Sequence, residues 1–228
     1  RFQEVSKLQA CLEKTVTGSG QFVTITGEAG VGKSRLAYEF RHSIDRNKTI
    51  ILQGRCQSFG GNIPYLPFID LLKRGLLLKE DDTPSILERK AISNILSIDA
   101  SLEKYLPLFL HMLSIASSKY RLSKDLRGQK LKKSMNQALV EIILSNTKRN
   151  PMVIVFEDWH WVDEASDEIL KHLVSQIETY PLMLLVLSRP EHMTNWPDWN
   201  YHTKFALKSM RPQDTAHALR SIWQVSKL

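Results

Sequence analysis

The sequence is poor in cysteine and in long apolar runs. Only two of its 228 residues are cysteines, Cys11 and Cys56, and they do not form a C-x-x-C pair. This argues against a disulfide framework or a zinc-binding domain and favours two buried thiols in a reducing, cytoplasmic setting. The longest uninterrupted apolar run, LMLLVL at 182–187, is too short to cross a bilayer, so we expect no membrane contact. The first residues lack the basic and apolar regions of a signal peptide.

The sequence also lacks internal repeats and low-complexity tracts, which argues against a solenoid or a disordered protein. Its length suits one compact α/β domain with an insertion, or two small domains. The formal charge of +7 suits a polyanionic partner and equally a domain that binds triphosphates. Seven basic residues and one acidic residue lie at 119–133. Because no interleaved aromatics or nucleic-acid-binding motif accompany them, we interpret this segment as a solvated helical face or loop and do not expect a nucleic-acid partner.

Five short apolar runs predict β-strands. Most are continuous rather than alternating, which is typical of a parallel sheet covered on both faces. The predicted strands lie at 21–26, 49–54, 152–156, 182–187 and 204–209. Apolar residues at helical spacing predict helices at 2–15, after the glycine cluster from Lys33, from near Asp163, and from Pro212 to near Gln224.

A long middle segment, 64–147, contains no strand-like run. Its apolar residues recur at helical spacing, and prolines punctuate it at positions 64, 67, 84 and 107. We therefore predict an all-helical insertion at 64–147 within an α/β core formed by 1–63 and 148–228. The core is expected to hold a five-stranded, mainly parallel sheet sandwiched by helices.

The stretch TGEAGVGKS at 26–34 lies between the first strand and a helix. Gly27, Gly32, Lys33 and Ser34 match the pattern G-x-x-x-x-G-K-[ST]. Glycines let the backbone turn consecutive N–H groups around phosphate oxygens, and the helix N-terminus adds unpaired donors. Lys33 can then reach the β and γ phosphates, and the Ser34 hydroxyl can ligate Mg²⁺. The stretch is a P-loop, and the predicted fold is a P-loop NTPase core.

Charged residues follow two of the other predicted strands. Glu157 and Asp158 come after the strand at 152–156, where one carboxylate can hold Mg²⁺ through water and the other can orient or deprotonate the attacking water. Arg189 follows the strand at 182–187 and either senses the γ-phosphate or is a solvated arginine before a proline. The sequence contains no N-K-x-D, the motif with which GTPases read guanine, so a GTPase is not expected.

Five motifs together resemble the STAND and AAA-related ATPase domains. The type they resemble most is embedded in bacterial LuxR-type transcription regulators and in class III adenylate or guanylate cyclases. The opening RFQEVSKLQACL is similar to G-R-x-x-E-L-x-x-L, and TGEAGVGKSRL is similar to the Walker A motif. GRCQSFGGNIPYLPF resembles G-R-C followed by P-Y-x-P, FEDWHWVDEAS resembles E-D-L-H-W-A-D-x-A-S, and LSRPE resembles T-Y-R-P-E. The resemblance covers nearly the whole chain.

The resemblance implies roles for individual residues. It places Glu157 at the Mg²⁺ position, Asp158 at the water-activating position and Arg189 at the sensor position, and it places the segment around Arg1 where adenine is held. Ser34, Glu157 and Asp158 are thus the expected metal ligands, and Lys33, Asp158 and Arg189 the expected catalytic residues. The residues expected to contact ATP are Arg1, Gly27, Glu28, Ala29, Gly30, Val31, Gly32, Lys33, Ser34 and Arg35.

Two features leave alternatives open. His160, Trp161 and Asp163 match the family's H-W-x-D, in which Asp163 either has a functional role or caps the following helix, and His160 either has a functional role or is a packed histidine. The order Glu-Asp also reverses the Asp-Glu of fast AAA hydrolases, which leaves the shorter side chain at the position of the base.

We expect an ATP- and Mg²⁺-dependent switch domain with slow hydrolysis. The chain begins at Arg1 rather than Met, and we expect it to be a piece of a longer signalling protein. Its partners would be ATP or ADP and other domains of the same polypeptide, namely a winged-helix or lid region and an output domain, with a homo-oligomer as an option on activation. The alternatives are a non-hydrolysing scaffold stabilised by nucleotide, a DNA-dependent AAA motor and a small-molecule kinase.

Overall fold

A computed structural model describes residues 2–58, 63–192 and 196–208 of the chain. Its strands coincide with the apolar runs of the sequence to within a few residues. They are β1 (Gln21–Thr26), β2 (Ile50–Arg55), β3 (Met152–Glu157), β4 (Leu182–Ser188) and β5 (His202–Ala206).

Seven α-helices lie within the described residues. Prolines occupy the first turns of three of them, where the missing N–H has no intrahelical partner to lose. The helices are α1 (Phe2–Val16), α2 (Lys33–His42), α3 (Leu66–Gly75), α4 (Pro84–Ile98), α5 (Leu106–Met112), α6 (Gly128–Asn146) and α7 (Glu164–Val174). The helix predicted from Pro212 to near Gln224 lies outside the described residues.

The five strands form one sheet in the order β2-β3-β4-β1-β5, and every neighbouring pair is parallel. The predicted α/β fold with a five-stranded sheet is confirmed. The last strand begins two residues earlier than predicted, because His202 and Thr203 pair with Phe22 and Val23 of β1 although neither is apolar. Pairing with a neighbouring strand, which an apolar pattern does not record, decides where β5 begins.

The sheet is covered by helices on both faces. On one face Val153 and Val155 of β3 pack with Leu36 and Phe40 of α2. On the other face Ile154 and Phe156 pack into a larger core that includes the helices between β2 and β3. Because side chains alternate along a strand, Glu157, which follows Phe156, points to the face of the sheet that α2 covers.

The middle segment is helical, as predicted, and α3 packs directly against the edge strand β2. Gly54 allows this approach, since a Cβ atom there would lie 2.8 Å from the carbonyl oxygen of Pro67. The division into a core and an insertion at 64–147 stays a prediction. Within the described residues, none of the helices combines the length and the apolar character that crossing a membrane requires.

Candidate functional site

The connection between β1 and α2 requires glycine at two positions for its backbone conformation. Gly30 and Gly32 have φ angles of 77° and 97°, in the left-handed region that strains residues with a Cβ atom. A Cβ atom at either position would meet nothing within 4 Å, so conformation and not crowding requires glycine here. Such a turn directs backbone N–H groups to one concave side, next to the unpaired N–H groups that begin α2. The connection can therefore cradle an anion.

Gly27 is required for a different reason. A Cβ atom at Gly27 would lie 2.7 Å from a methyl carbon of Val31 and 2.8 Å from the carbonyl oxygen of Leu207. The loop is thus packed against the residue that follows β5, and only glycine fits.

Lys33 is hydrogen-bonded to the backbone of the glycine-rich loop. Its ammonium group donates hydrogen bonds to the carbonyl oxygens of Gly27, at 2.6 Å, and Glu28, at 2.9 Å. Burial lowers the pKa of Lys33, and the positive charge of Arg189 lowers it further, whereas the negative charge of Asp158 raises it. Lys33 is therefore a cation within electrostatic range of both the acidic and the basic residue that sequence analysis assigned to the site.

Asp158 lies directly after β3, in a left-handed conformation with a φ of 56°. Aspartate tolerates this conformation better than most residues with a Cβ atom. Oδ2 of Asp158 lies 3.6 Å from Nε of Arg55 at the end of β2, and Asp158 lines the same cavity as Lys33 and Ser34. Carboxylate and hydroxyl oxygens are suitable ligands for Mg²⁺, so Asp158 and Ser34 form a donor set that fits this ion.

Glu157 is placed differently from Asp158. It is the last residue of β3, it is 6% exposed, and its Oε1 lies 3.6 Å from Nη2 of Arg41 in α2. Arg41 also donates a hydrogen bond to the side chain of Gln53 in β2. Glu157 is not among the residues that line the cavity, so its assigned role as a Mg²⁺ ligand stays a prediction.

Two polar residues, Ser188 at the end of β4 and Arg189 directly after it, lie between the ends of β1 and β3. Ser188 is buried, and its hydroxyl has no hydrogen-bond partner within the part of the chain that the structure describes. Arg189 follows it and lines the cavity, with its guanidinium carbon 5.9 Å from the ring centroid of Trp161. Sequence analysis assigned Ser188 no role, and Ser188 is not among the residues that line the cavity.

A short turn, Trp159–Trp161, connects Asp158 to α7. Trp159 is buried against Phe156, and its indole N–H donates to Asp167 at 3.2 Å. Trp161 and His160 line the cavity, so neither is simply a packed core residue. The two rings lie 5.1 Å apart.

Asp163 anchors the end of this turn. Its carboxylate accepts hydrogen bonds from the backbone N–H of Ser166, at 2.9 Å, and from the Ser166 hydroxyl, at 2.5 Å. It also accepts one from the backbone N–H of Tyr65, at 3.2 Å, just before α3. The interpretation of Asp163 as a helix cap is confirmed, and the same carboxylate ties α7 to the beginning of α3.

These residues enclose one cavity of about 340 Å³ at the carboxyl ends of β1, β3 and β4. A larger groove of about 720 Å³ runs between α6 and α7, but a glycine-rich connection does not line it. The smaller cavity is therefore the candidate functional site because of the residues that line it, not because of its volume. Its lining residues are Ala29, Gly30, Gly32, Lys33, Ser34, Arg35, Asp158, His160, Trp161 and Arg189.

Three of the other predicted contact residues, Gly27, Glu28 and Val31, are not among the residues that line the cavity. Glu28 contributes its backbone carbonyl to Lys33, and Val31 is buried in the core beside Gly27. Arg1 lies outside the described residues. Arg35 does line the cavity, and its Nε donates to Glu39 at 2.6 Å, one helical turn further along α2.

Comparison with known proteins assigns the chain to a family. Residues 1–187 match the model of the AAA ATPase domain. The chain belongs to the AAA ATPase domain family. This membership identifies a nucleotide-binding ATPase domain, as the resemblance predicted. The match ends before Ser188 and Arg189, so it does not bear on these two residues.

Relatives of this AAA ATPase domain are distant. Uncharacterized protein R02095 of Rhizobium meliloti (strain 1021) is 24% identical over 235 residues, which cover 100% of this chain and 22% of that protein. The AAA ATPase domain thus spans about a fifth of the length of this curated relative. One similar solved structure is that of Drosophila ORC bound to DNA, with 12% identity, coverage of 90% of this chain and 42% of that one, and a TM-score of 0.49. Another is VirB4 of Thermoanaerobacter pseudethanolicus, with 13% identity, coverage of 91% and 81%, and a TM-score of 0.33.

Proposed function

We propose that this domain binds ATP with Mg²⁺, hydrolyses it slowly and acts as a switch within a larger cytoplasmic signalling protein. The observation that supports this most directly is that the glycine-rich connection, Lys33, Asp158 and Arg189 all line or adjoin one cavity. They come from the ends of three adjacent parallel strands, where α/β proteins bind their ligands.

In this proposal each residue binds one part of the ligand. The loop N–H groups and Lys33 hold the phosphates, Arg189 contacts the γ-phosphate, and Ser34 and Asp158 hold the metal, with Glu157 acting on it through water. The segment around Arg1 holds the adenine. Bound Mg²⁺ supplies charge neutralisation on the phosphate oxygens. Asp158 then orients and deprotonates the attacking water.

The switch follows from the difference between ATP and ADP. Only ATP carries the γ-phosphate that Lys33 and Arg189 can contact together, so only ATP links these two side chains through one ligand. This difference changes how other domains of the same polypeptide dock, including a winged-helix or lid region and an output domain. A homo-oligomer on activation is compatible with this scheme.

Multiple-turnover phosphate release tests the hydrolytic part of the proposal. We expect slow, Mg²⁺-dependent release from the wild-type domain, and about a 100- to 10,000-fold loss in an Asp158→Asn variant, which is the usual contribution of a general base. ATP affinity should change far less than the rate, because Asn keeps an oxygen ligand. Equal rates for the two proteins would contradict the assignment of Asp158.

A second candidate function is a scaffold that binds nucleotide without hydrolysing it. The contact between Arg55 and Asp158 favours it, because the guanidinium competes with an attacking water for the carboxylate oxygens. The reversed Glu-Asp order points the same way. Phosphate release that is absent even from the full-length protein with its effector would select this candidate.

A further inference from the structure

Trp161 is one of the few large apolar side chains that are exposed within the described residues. It is 42% exposed, whereas Trp159, two residues earlier, is 4% exposed. An isolated exposed aromatic side chain contributes little to core stability. Trp161 nevertheless lies at the cavity, and its position there calls for a role other than packing.

The neighbour of Trp161 is the guanidinium group of Arg189. Within the described residues no carboxylate lies within ion-pair distance of Arg189, and its guanidinium carbon lies 5.9 Å from the Trp161 ring centroid. Lys33 is close enough that the positive charge of Arg189 lowers its pKa. Lys33 and Arg189 repel each other and share the cavity with the carboxylate of Asp158, so a contact with the Trp161 ring adds a further attraction that keeps Arg189 at the cavity.

An aromatic ring is suited to hold an arginine that must bind an anion. A carboxylate would occupy the N–H donors of Arg189 and would repel a phosphate. The face of an indole ring attracts the guanidinium through its quadrupole, and the donors remain available in the guanidinium plane.

The backbone that carries Trp161 is held on both sides. Its own N–H donates to the carbonyl oxygen of Asp158 at 2.9 Å, which links the ring position to the carboxylate in the cavity. On one side of the turn Trp159 is buried, and on the other Asp163 is hydrogen-bonded to Ser166. The ring is therefore presented by a fixed turn rather than by a free loop.

We propose that Trp161 is a positioning residue that holds Arg189 over the site of the γ-phosphate and thereby sets the preference of the domain for ATP over ADP. The inference rests on the proposed function and adds to it a residue on which discrimination depends. Trp161 acts through Arg189 and is not itself a catalytic residue.

The test is a double-mutant cycle read out by nucleotide selectivity. Calorimetry measures the affinity of each protein for Mg·ADP and for the Mg²⁺ complex of β,γ-imido-ATP, an ATP analogue that is hydrolysed slowly. The proteins compared are the wild type, Trp161→Leu, Arg189→Ala and the double variant. The Trp161→Leu change should lower the triphosphate-to-diphosphate affinity ratio about three- to tenfold, as expected for a partly desolvated cation–π contact. The double variant should fall no further than Arg189→Ala, and Trp161→Phe should keep most of the ratio.

Tyr38 provides a matched control. It is 48% exposed on α2, and the guanidinium carbon of Arg35 lies over its ring at the same 5.9 Å. Arg35 is also bonded to Glu39, so it does not depend on the ring for its position. A Tyr38→Leu change should leave the ratio unchanged.

The outcomes separate the inference from the proposal beneath it. If the wild type prefers the triphosphate and Arg189→Ala loses that preference while Trp161→Leu keeps it, the positioning role is wrong and the proposed function stands. The inference is equally wrong if the two single effects add in the double variant. If the wild type binds neither nucleotide, the proposed function fails and takes the inference with it.

Discussion

Each carboxylate at the end of β3 has an arginine beside it. Glu157 lies 3.6 Å from Arg41, and Asp158 lies 3.6 Å from Arg55. The first pair is nearly buried and the second is largely exposed to solvent. Both guanidinium groups therefore compete with any cation that the carboxylates would bind, the first more strongly because water screens it less.

Removing the exposed arginine should strengthen metal binding. An Arg55→Gln variant loses a positive charge next to Asp158, so we expect it to need about two- to fivefold less Mg²⁺ for half-saturation of ATP binding, the scale of a solvent-exposed ion pair. Its free energy of unfolding should stay within about 0.5 kcal/mol of the wild type, because exposed ion pairs contribute little. Titration of Mg²⁺ at fixed ATP measures the first quantity and urea denaturation the second.

Arg74 is the control for this prediction. It is as exposed as Arg55 and pairs with Asp70 at 3.0 Å on α3, so Arg74→Gln removes a similar ion pair. The Mg²⁺ requirement should not change in that variant. A requirement that rises in Arg55→Gln would show that Arg55 supports the site rather than competing with the metal.

At the scale of elements, the beginnings of α3 and α7 are joined by Asp163. Its carboxylate accepts hydrogen bonds from Ser166 and from the backbone of Tyr65. An Asp163→Ala variant should lose about 2–4 kcal/mol of unfolding free energy, because a helix cap is removed and buried N–H groups lose their acceptor. Urea denaturation followed by circular dichroism measures the loss.

The isosteric change refines this prediction. Asp163→Asn keeps one acceptor oxygen, so it should lose less than half as much stability as Asp163→Ala. A loss below 1 kcal/mol for Asp163→Ala would mean that the junction of α3 and α7 does not depend on this carboxylate.

The edge strand β5 carries a histidine that should make stability depend on pH. Nε2 of His202 lies 3.1 Å from the Thr24 hydroxyl, and the ring stacks on Phe22. Burial lowers the pKa of His202 to about 4, with a further contribution from Lys204. The unfolded chain therefore takes up a proton first as the pH falls from about 6.5 to about 4, and the folded state is destabilised over that interval.

A His202→Gln variant isolates this effect from the titration of carboxylates. Between pH 7 and pH 4.5 the stability of the wild type should fall relative to the variant by about 1–2 kcal/mol, a figure reduced for the partial solvent exposure of the ring. Denaturant unfolding at several pH values measures the difference. Parallel pH profiles for the two proteins would contradict a neutral, half-buried His202.

At the scale of the whole molecule, the parts that depend on local pattern were predictable. Apolar runs predicted β1 to β4, and β1, β3 and β4 are buried along their whole length, which leaves little room for polar residues. The P-loop was predictable because its glycines, lysine and serine all lie within one short segment, 27–34. Residues that act across the fold were not predictable from local pattern. Arg55 meets Asp158, and Trp161 meets Arg189, only once parallel pairing has brought their strands together.

The sheet order makes the site a property of the whole fold. β1 lies between β4 and β5, and β4 lies between β1 and β3, so the P-loop, Arg189 and Asp158 follow three adjacent strands. The central claim is that the carboxyl ends of these three strands hold a triphosphate around Lys33.

Calorimetric titration of the wild type and of Lys33→Ala with Mg·ATP tests this claim most directly, with the exposed Lys48→Ala as the control. We predict saturable binding by the wild type and Lys48→Ala, and about 10- to 100-fold weaker binding by Lys33→Ala, the scale of a lost hydrogen bond between charged groups. Equally weak binding by the wild type and Lys33→Ala would contradict it.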